Sequence, residues 1–374
     1  MPPMSVLIKP ASGNCNMKCD YCFYCDEQNK RSIPSFGIMS DHTLKNVMRK
    51  TILHSEGFCS IAFQGGEPTL AGIDFFRKVI EYGKHYNRKH IRVEYALQTN
   101  GLNINEEWCR FFKENHFLIG LSVDGTQDIH DKYRHTKSGN TTYEQIIKAA
   151  GLLNKYGVDY NVLTVVHREV AGRIDEIYDF YKNNGWDYQQ YIACLDPLYE
   201  KPGKYEYSLL PIEYGKFLTD LFNRWFHDLE MDKQPFIRQF ENYIGILLGR
   251  GAEACDQRGT CGIQYVVEAD GSVYPCDFYM LDEYKLGNMN DTTIAVMDEK
   301  RKELRFIEES FKLTQECKQC EYYGICRGGC QRSRFKTGNE LYKNYLCEGY
   351  KEFFKACLPR MMQIADMIKR SNQR

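Results

Sequence analysis

Apolar and polar residues alternate along the first half of the chain in two recurring rhythms. Short runs rich in β-branched and aromatic residues fall at 5–9, 60–64, 92–99, 118–123, 159–166 and 188–194, and such runs predict strands. Between them, apolar residues recur at helical spacing over roughly 41–56, 73–87, 105–115, 142–157 and 171–184, which predicts amphipathic helices. Strand–helix alternation implies right-handed βαβ crossovers and a parallel sheet. Six such strands predict an α/β fold, a partial (β/α)6 barrel of the TIM type. A complete eight-stranded barrel takes about 250 residues, and here the alternation fades near 195.

Beyond that point the pattern changes twice. Residues 197–250 read as helical, with Tyr- and Phe-rich faces around 212–228 and 236–248. From 251 to 350 the chain becomes rich in cysteine, glycine and turns. Within that stretch Gln264–Tyr274 predicts a hairpin, its alternation interrupted by Asp270-Gly271, a strong two-residue turn signal. The tail, 349–370, predicts a closing amphipathic helix. These changes suggest two domains, a barrel with linker helices over 1–235 and a cysteine-rich domain over 236–374.

Charge narrows the function. The 49 Lys and Arg nearly cancel the 50 Asp and Glu, so there is no electrostatic footprint for nucleic acid or an anionic membrane. The first 20 residues hold no long apolar run and no stretch predicts a membrane span, so a cytoplasmic protein is expected.

The 16 cysteines change the picture most. A chain of this length needs no disulfide staples, and one without an export signal would not keep them oxidised. Three fall at 15, 19 and 22, and eight between 255 and 347, while the 232 residues from 23 to 254 hold only four. Clustering at short spacings suits ligation, because a loop of two or three residues brings two thiolates onto one centre.

The first cluster is Cys15-Asn-Met-Lys-Cys19-Asp-Tyr-Cys22, directly after the first predicted strand. Barrel active sites sit at the carboxyl ends of strands. Three thiolates on a four-iron cube leave one iron open to a small chelating ligand. A zinc site is the bland alternative, with Cys25 as fourth ligand. The second constellation is Cys255-x5-Cys261-x9-Gly271-x4-Cys276, then Cys317-x2-Cys320-x5-Cys326-x3-Cys330-x16-Cys347. Eight thiolates suffice for two fully ligated four-iron clusters, or for two zinc knuckles. Cys25, Cys59, Cys109, Cys194 and Cys357 are left over and are expected to be small buried hydrophobes.

The C-x3-C-x2-C loop after the first strand, with Tyr21 inside its last gap, resembles the signature of the radical S-adenosylmethionine superfamily. Gly65-Gly66-Glu67-Pro68, at the end of the second strand, is similar to that family's glycine-rich cofactor segment. The resemblance implies that S-adenosylmethionine is a cofactor, contacted by Tyr21, Gly65, Gly66, Glu67, Ser122, Arg134 and Leu195. The seven cysteines from Cys261 onward resemble a SPASM domain, an auxiliary-cluster extension, and Cys255 adds an eighth. Three [4Fe–4S] clusters are thus implied, with crossed auxiliary ligation. Cys255, Cys261, Cys276 and Cys330 would hold one cluster, and Cys317, Cys320, Cys326 and Cys347 the other.

Over nearly its whole length the chain resembles anaerobic sulfatase-maturating enzymes. The resemblance is carried by Leu7-Ile-Lys-Pro-Ala-Ser12, Cys22-Phe-Tyr24, Phe63-Gln-Gly-Gly-Glu-Pro-Thr-Leu-Ala-Gly72, Leu97-Gln-Thr-Asn-Gly101, Cys194-Leu-Asp-Pro-Leu-Tyr199 and Gly271-Ser-Val-Tyr-Pro-Cys-Asp-Phe-Tyr279. It implies radical oxidation of a Cys or Ser, within Cys/Ser-x-Pro-x-Arg of a sulfatase polypeptide, to Cα-formylglycine. It further implies Asp277 as the catalytic base, Tyr24 and Gln64 as substrate contacts, and a flavodoxin- or ferredoxin-like electron donor. A SPASM maturase that crosslinks a ribosomal peptide is the alternative. Only 14 residues precede Cys15, which leaves little room for the peptide-recognition domain such maturases often carry.

Overall fold

The computed structural model describes residues 3–338 and 340–371, so the outermost residues of both expected domains lie outside it. The strands expected from the pattern are present at Met4–Ile8, Phe58–Phe63, Arg92–Thr99, Phe117–Ser122, Tyr160–Val166 and Tyr188–Ala193. Two compact units interleave along the chain. One comprises 1–123, 130–161 and 263–305; the other comprises 124–129, 162–262 and 306–374.

In the first unit four of these strands are parallel neighbours, in the order of their sequence. Val6 and Ile8 are buried on one face and Leu7 on the other, the two-sided burial expected of a covered parallel sheet. The sheet is open, and its other side is extended by the predicted hairpin. Tyr265–Val267 pairs parallel to Val6–Ile8, and Ser272–Tyr274 folds back antiparallel around Asp270-Gly271.

Helices cover the sheet because their apolar residues share one face. In Asp41–His54 the buried residues Leu44, Val47, Met48 and Thr51 follow helical spacing, and Ser40 caps the first turn by accepting from the Thr43 amide. Phe63, Phe76, Trp108, Phe112 and Phe117 form an edge-to-face and tilted aromatic core between strands and helices. Removing such a buried ring costs about 3–5 kcal/mol.

In the second unit Val162–Val166 pairs parallel to Gln189–Ala193. The stretch expected to be helical over 197–250 holds two helices, Pro211–Leu229 and Arg238–Leu247, separated by the two-residue strand Phe236–Ile237. Residues 197–210 are irregular. Likewise the expected helix over 171–184 is two, Arg168–Gly172 and Ile174–Asn183, interrupted at Arg173. The closing helix, Cys347–Ser371, crosses Pro211–Leu229 at two glycines. A Cβ on Gly349 would stand 2.1 Å from the Pro211 carbonyl oxygen, and one on Gly215 would stand 2.7 Å from that of Gly349. This contact fixes the start of the closing helix, where Cys347 lies.

Candidate active site

In the first unit, functional side chains gather where the strands end. Met17–Cys19 forms a short antiparallel ladder with Arg134–Thr136, setting Cys19 opposite Arg134. The Arg134 guanidinium lies 5.5 Å from the centre of the Tyr21 ring. Its charge also helps lower the Cys22 thiol to about 6, after a hydrogen bond donated by the Cys25 thiol, which acts more strongly. Burial pushes the Cys15 thiol up to about 11, against hydrogen bonds from the Met17 amide and the Asn100 side chain. The ladder thus brings Arg134 and Tyr21 to the three-cysteine loop.

The glycine-rich segment is bound to that loop backbone to backbone. The Gly66 amide donates to Ser12 and the Glu67 amide to Asn14. A Cβ on Gly66 would lie 2.0 Å from the Asn14 carbonyl oxygen, so only glycine allows this approach. The Glu67 carboxylate is wholly buried and turned inward. It accepts from the Thr69 amide and hydroxyl, the Thr99 hydroxyl and the Asn100 amide. Its role in the fold is therefore a latch between the ends of two strands. Ser122 ends its strand, buried, and accepts from Gln98. Gln64 continues the second strand, its amide bonded to the Ile8 carbonyl. Leu195 belongs to the second unit, half-buried just beyond Tyr188–Ala193.

Asp277 lies in the same unit as the cysteine loop and is 9% exposed. One carboxylate oxygen accepts from the Tyr24 hydroxyl at 2.6 Å, and the other is 3.1 Å from the Lys9 ammonium. Lys9 also stands 3.9 Å from Glu27 and 4.0 Å from the centre of the Tyr24 ring. Burial, then the Asp277 charge, pushes the Tyr24 phenol well above its ordinary range, so it stays a donor. The segment that follows the Cys15–Cys22 loop and its helix is tied to the hairpin before Cys276 by a second buried pair. Arg31 meets Glu268 at 2.6 Å, and Asp282 accepts from the Ser32 amide.

Composition and spacing do not single out Lys9, Glu27, Arg31 or Glu268. The one signal for Lys9 was a lysine closing an apolar strand at the barrel mouth. Among the five remaining cysteines, Cys59, Cys109 and Cys357 are buried as expected and Cys194 is half-buried. Cys25 departs from the expectation: it is exposed, and its thiol donates to Cys22.

The second unit gathers cysteines in two sets. Cys317, Cys320, Cys326 and Cys347 line a single pocket. Burial, reinforced by the other three sulfurs, pushes the Cys326 thiol up to about 12. Cys330 is raised to about 12 in the same way, chiefly by burial and then by Cys255, with Cys261 adding to it. Arg334 binds the loops around them, donating to the carbonyls of Gly259, Gly328, Gly329 and Ser310. Buried thiols crowded together resist ionisation, and a cationic cluster reverses that penalty. The donor sets therefore fit iron–sulfur clusters: all-thiolate in the four-cysteine pocket, three-thiolate in the Cys15 loop.

Residues 10–181 match the model of the Radical SAM superfamily, and residues 259–321 match that of SPASM, an iron–sulfur cluster-binding domain. The fold and site thus define a radical S-adenosylmethionine enzyme with an auxiliary iron–sulfur domain. The chain is 45% identical to the cysteine-type anaerobic sulfatase-maturating enzyme of Clostridium perfringens, over 99% of its own length and 100% of the relative's. It is 30% identical to the serine-type enzyme of Bacteroides thetaiotaomicron, over 96% and 90% of the two chains. Native anSMEcpe with bound AdoMet and Cp18Cys peptide superposes with a TM-score of 0.93 at 45% identity, over 98% of this chain and 100% of that one. This chain belongs to the family of anaerobic sulfatase-maturating enzymes. Among its described residues no helix is long and apolar enough to cross a membrane.

Proposed function

We propose that this protein oxidises a cysteine or serine within Cys/Ser-x-Pro-x-Arg of a sulfatase polypeptide to Cα-formylglycine. The observation that carries this reading is the buried Asp277 carboxylate, held by Tyr24 and Lys9 and directly following Cys276, in the unit that bears the three-cysteine loop. Residues 1–235 supply the radical domain and 236–374 the auxiliary-cluster domain. Cys15, Cys19 and Cys22 would hold one [4Fe–4S] cluster, and Cys317, Cys320, Cys326 and Cys347 a second. On the sequence resemblance, Cys255, Cys261, Cys276 and Cys330 would hold a third. When bound, the reduced first cluster and S-adenosylmethionine supply the carbon radical that takes a hydrogen atom from Cβ of the target residue.

The chain's own residues do the rest. Gly65 and Gly66 present bare backbone to the cofactor, with Tyr21, Ser122, Arg134 and Leu195 as further contacts and Glu67 holding the segment's shape. Gln64 and Tyr24 meet the peptide. Asp277 accepts the proton of the target thiol as its S–H bond breaks and C=S forms. An auxiliary iron–sulfur cluster, when bound, would accept the accompanying electron. Water then hydrolyses the thioaldehyde, whereas a serine gives the aldehyde directly. A flavodoxin- or ferredoxin-like protein supplies the electrons, and the reaction belongs in an anaerobic cytoplasm.

The test is an anaerobic assay of reconstituted protein with S-adenosylmethionine, a strong reductant and a peptide containing Cys-x-Pro-x-Arg. Deoxyadenosine together with a peptide shifted to the aldehyde mass is expected. Deoxyadenosine with an unchanged peptide would retain the radical chemistry but move the substrate to another peptide, and a crosslinking maturase would then lead.

A further inference from the structure

Lys9 directly follows the first strand, Met4–Ile8, and is 3% exposed. A lysine buried to that extent needs charged or hydrogen-bonding partners. Here they are Asp277 at 3.1 Å, Glu27 at 3.9 Å and the face of Tyr24 at 4.0 Å. Its stem is equally constrained. Lys9 Cβ and Cγ lie so close to Gly65 that a Cβ on the glycine would come within 3.1 and 3.0 Å of them. One side chain therefore touches the glycine-rich segment, the helix Phe23–Asn29 that follows the cysteine loop, and the turn that bears Asp277. A carboxylate that accepts a hydrogen bond from a phenol at one oxygen and forms an ion pair with an ammonium at the other is restrained from both sides.

We propose that Lys9 is the positioning residue of the proton-transfer half of the reaction. It holds the Asp277 carboxylate toward the substrate thiol and supplies the buried counter-charge for Asp277 and Glu27. The inference rests on the formylglycine reading above. The step is the one already balanced there: S–H breaks, C=S forms and the proton goes to Asp277, while an auxiliary iron–sulfur cluster, when bound, would take the electron. Lys9 touches neither substrate nor cofactor in it. Its effect falls on the second oxidation and spares the first hydrogen abstraction.

The experiment compares Lys9→Met, which keeps the stem against Gly65, and Lys9→Arg, which keeps the charge, with the unaltered holoenzyme at matched iron content. Deoxyadenosine, peptide aldehyde and peptide KM are measured anaerobically with the Cys-x-Pro-x-Arg peptide. For Lys9→Met, aldehyde is expected to fall at least tenfold while deoxyadenosine falls less than threefold, so that several cofactors are cleaved per product. Lys9→Arg is expected to recover most of the coupling. Equal loss of both products, or a raised KM with coupling intact, would overturn the inference. If the unaltered enzyme makes no aldehyde, it is the formylglycine reading that fails. The Lys9–Asp277 pairing is then judged by melting temperatures of Lys9→Met, Asp277→Asn and the double variant. A double-variant shift smaller than the sum of the single ones supports the pairing, and strictly additive shifts refute it.

Discussion

At the scale of single residues, Gly66 and Asp277 do opposite kinds of work. Gly66 is there for the volume it lacks, since any side chain would collide with the Asn14 carbonyl. Gly66→Ala is therefore expected to push the glycine-rich segment away from the cysteine loop and reduce deoxyadenosine formation at least tenfold. Assay of deoxyadenosine with and without peptide checks this. Asp277 is there for its charge. Asp277→Asn keeps the shape and removes the proton acceptor, so aldehyde should fall by about 10²- to 10⁴-fold while deoxyadenosine continues to form. Undiminished aldehyde would remove Asp277 from its role. The cysteines of the two sets were legible in the sequence because ligand spacing is local: Cys317 and Cys320 declare each other across two intervening residues. Lys9 was not legible, because its partners Glu27 and Asp277 come from distant segments, and a lone lysine beside an apolar run carries no record of what it faces.

At the scale of elements, the parallel strands were read correctly because two-sided burial enforces continuous apolar runs, as in Phe117–Ser122. Helix lengths were less legible. The pattern over 171–184 continues through Arg173, but the backbone breaks there and a new helix starts at Ile174. Over 197–250 the aromatic faces were visible, while the turn that separates them was hidden by the apolar pair Phe236–Ile237. Between elements, the buried Arg31–Glu268 pair fastens the segment after the cysteine loop to the hairpin that precedes Cys276. Both side chains are almost fully buried, so Arg31→Met strands a carboxylate and should cost about 3–5 kcal/mol. Arg31→Met combined with Glu268→Gln should recover much of that. Chemical denaturation of the two variants under anaerobic conditions provides the comparison.

At the scale of the whole molecule, the described residues from Phe306 to Leu346 build almost no regular structure. Three of its helices have four residues each, and its one hairpin pairs three residues with three. Segments this short rarely hold themselves together without metal or cross-links. Stripping the iron by chelation is therefore expected to raise amide hydrogen exchange across 313–347 at least tenfold. The aromatic core around Phe63, Phe76 and Phe112 should keep its protection. Exchange measured by mass spectrometry before and after chelation distinguishes this from uniform loosening, which would assign the clusters no local structural role.

The hairpin strand Tyr265–Val267, lying parallel to Val6–Ile8, has a consequence for the protein's biogenesis. Met4–Ile8 cannot complete its ladder until the chain has been made beyond residue 267. At about 5–20 residues per second, that interval is roughly 10–50 s. Throughout it the strand that leads into the loop of Cys15, Cys19 and Cys22 is paired on one side only. Iron loading at that loop is therefore expected to lag until synthesis has passed the hairpin, and the iron content of ribosome-bound chains stalled before and after residue 267 checks this.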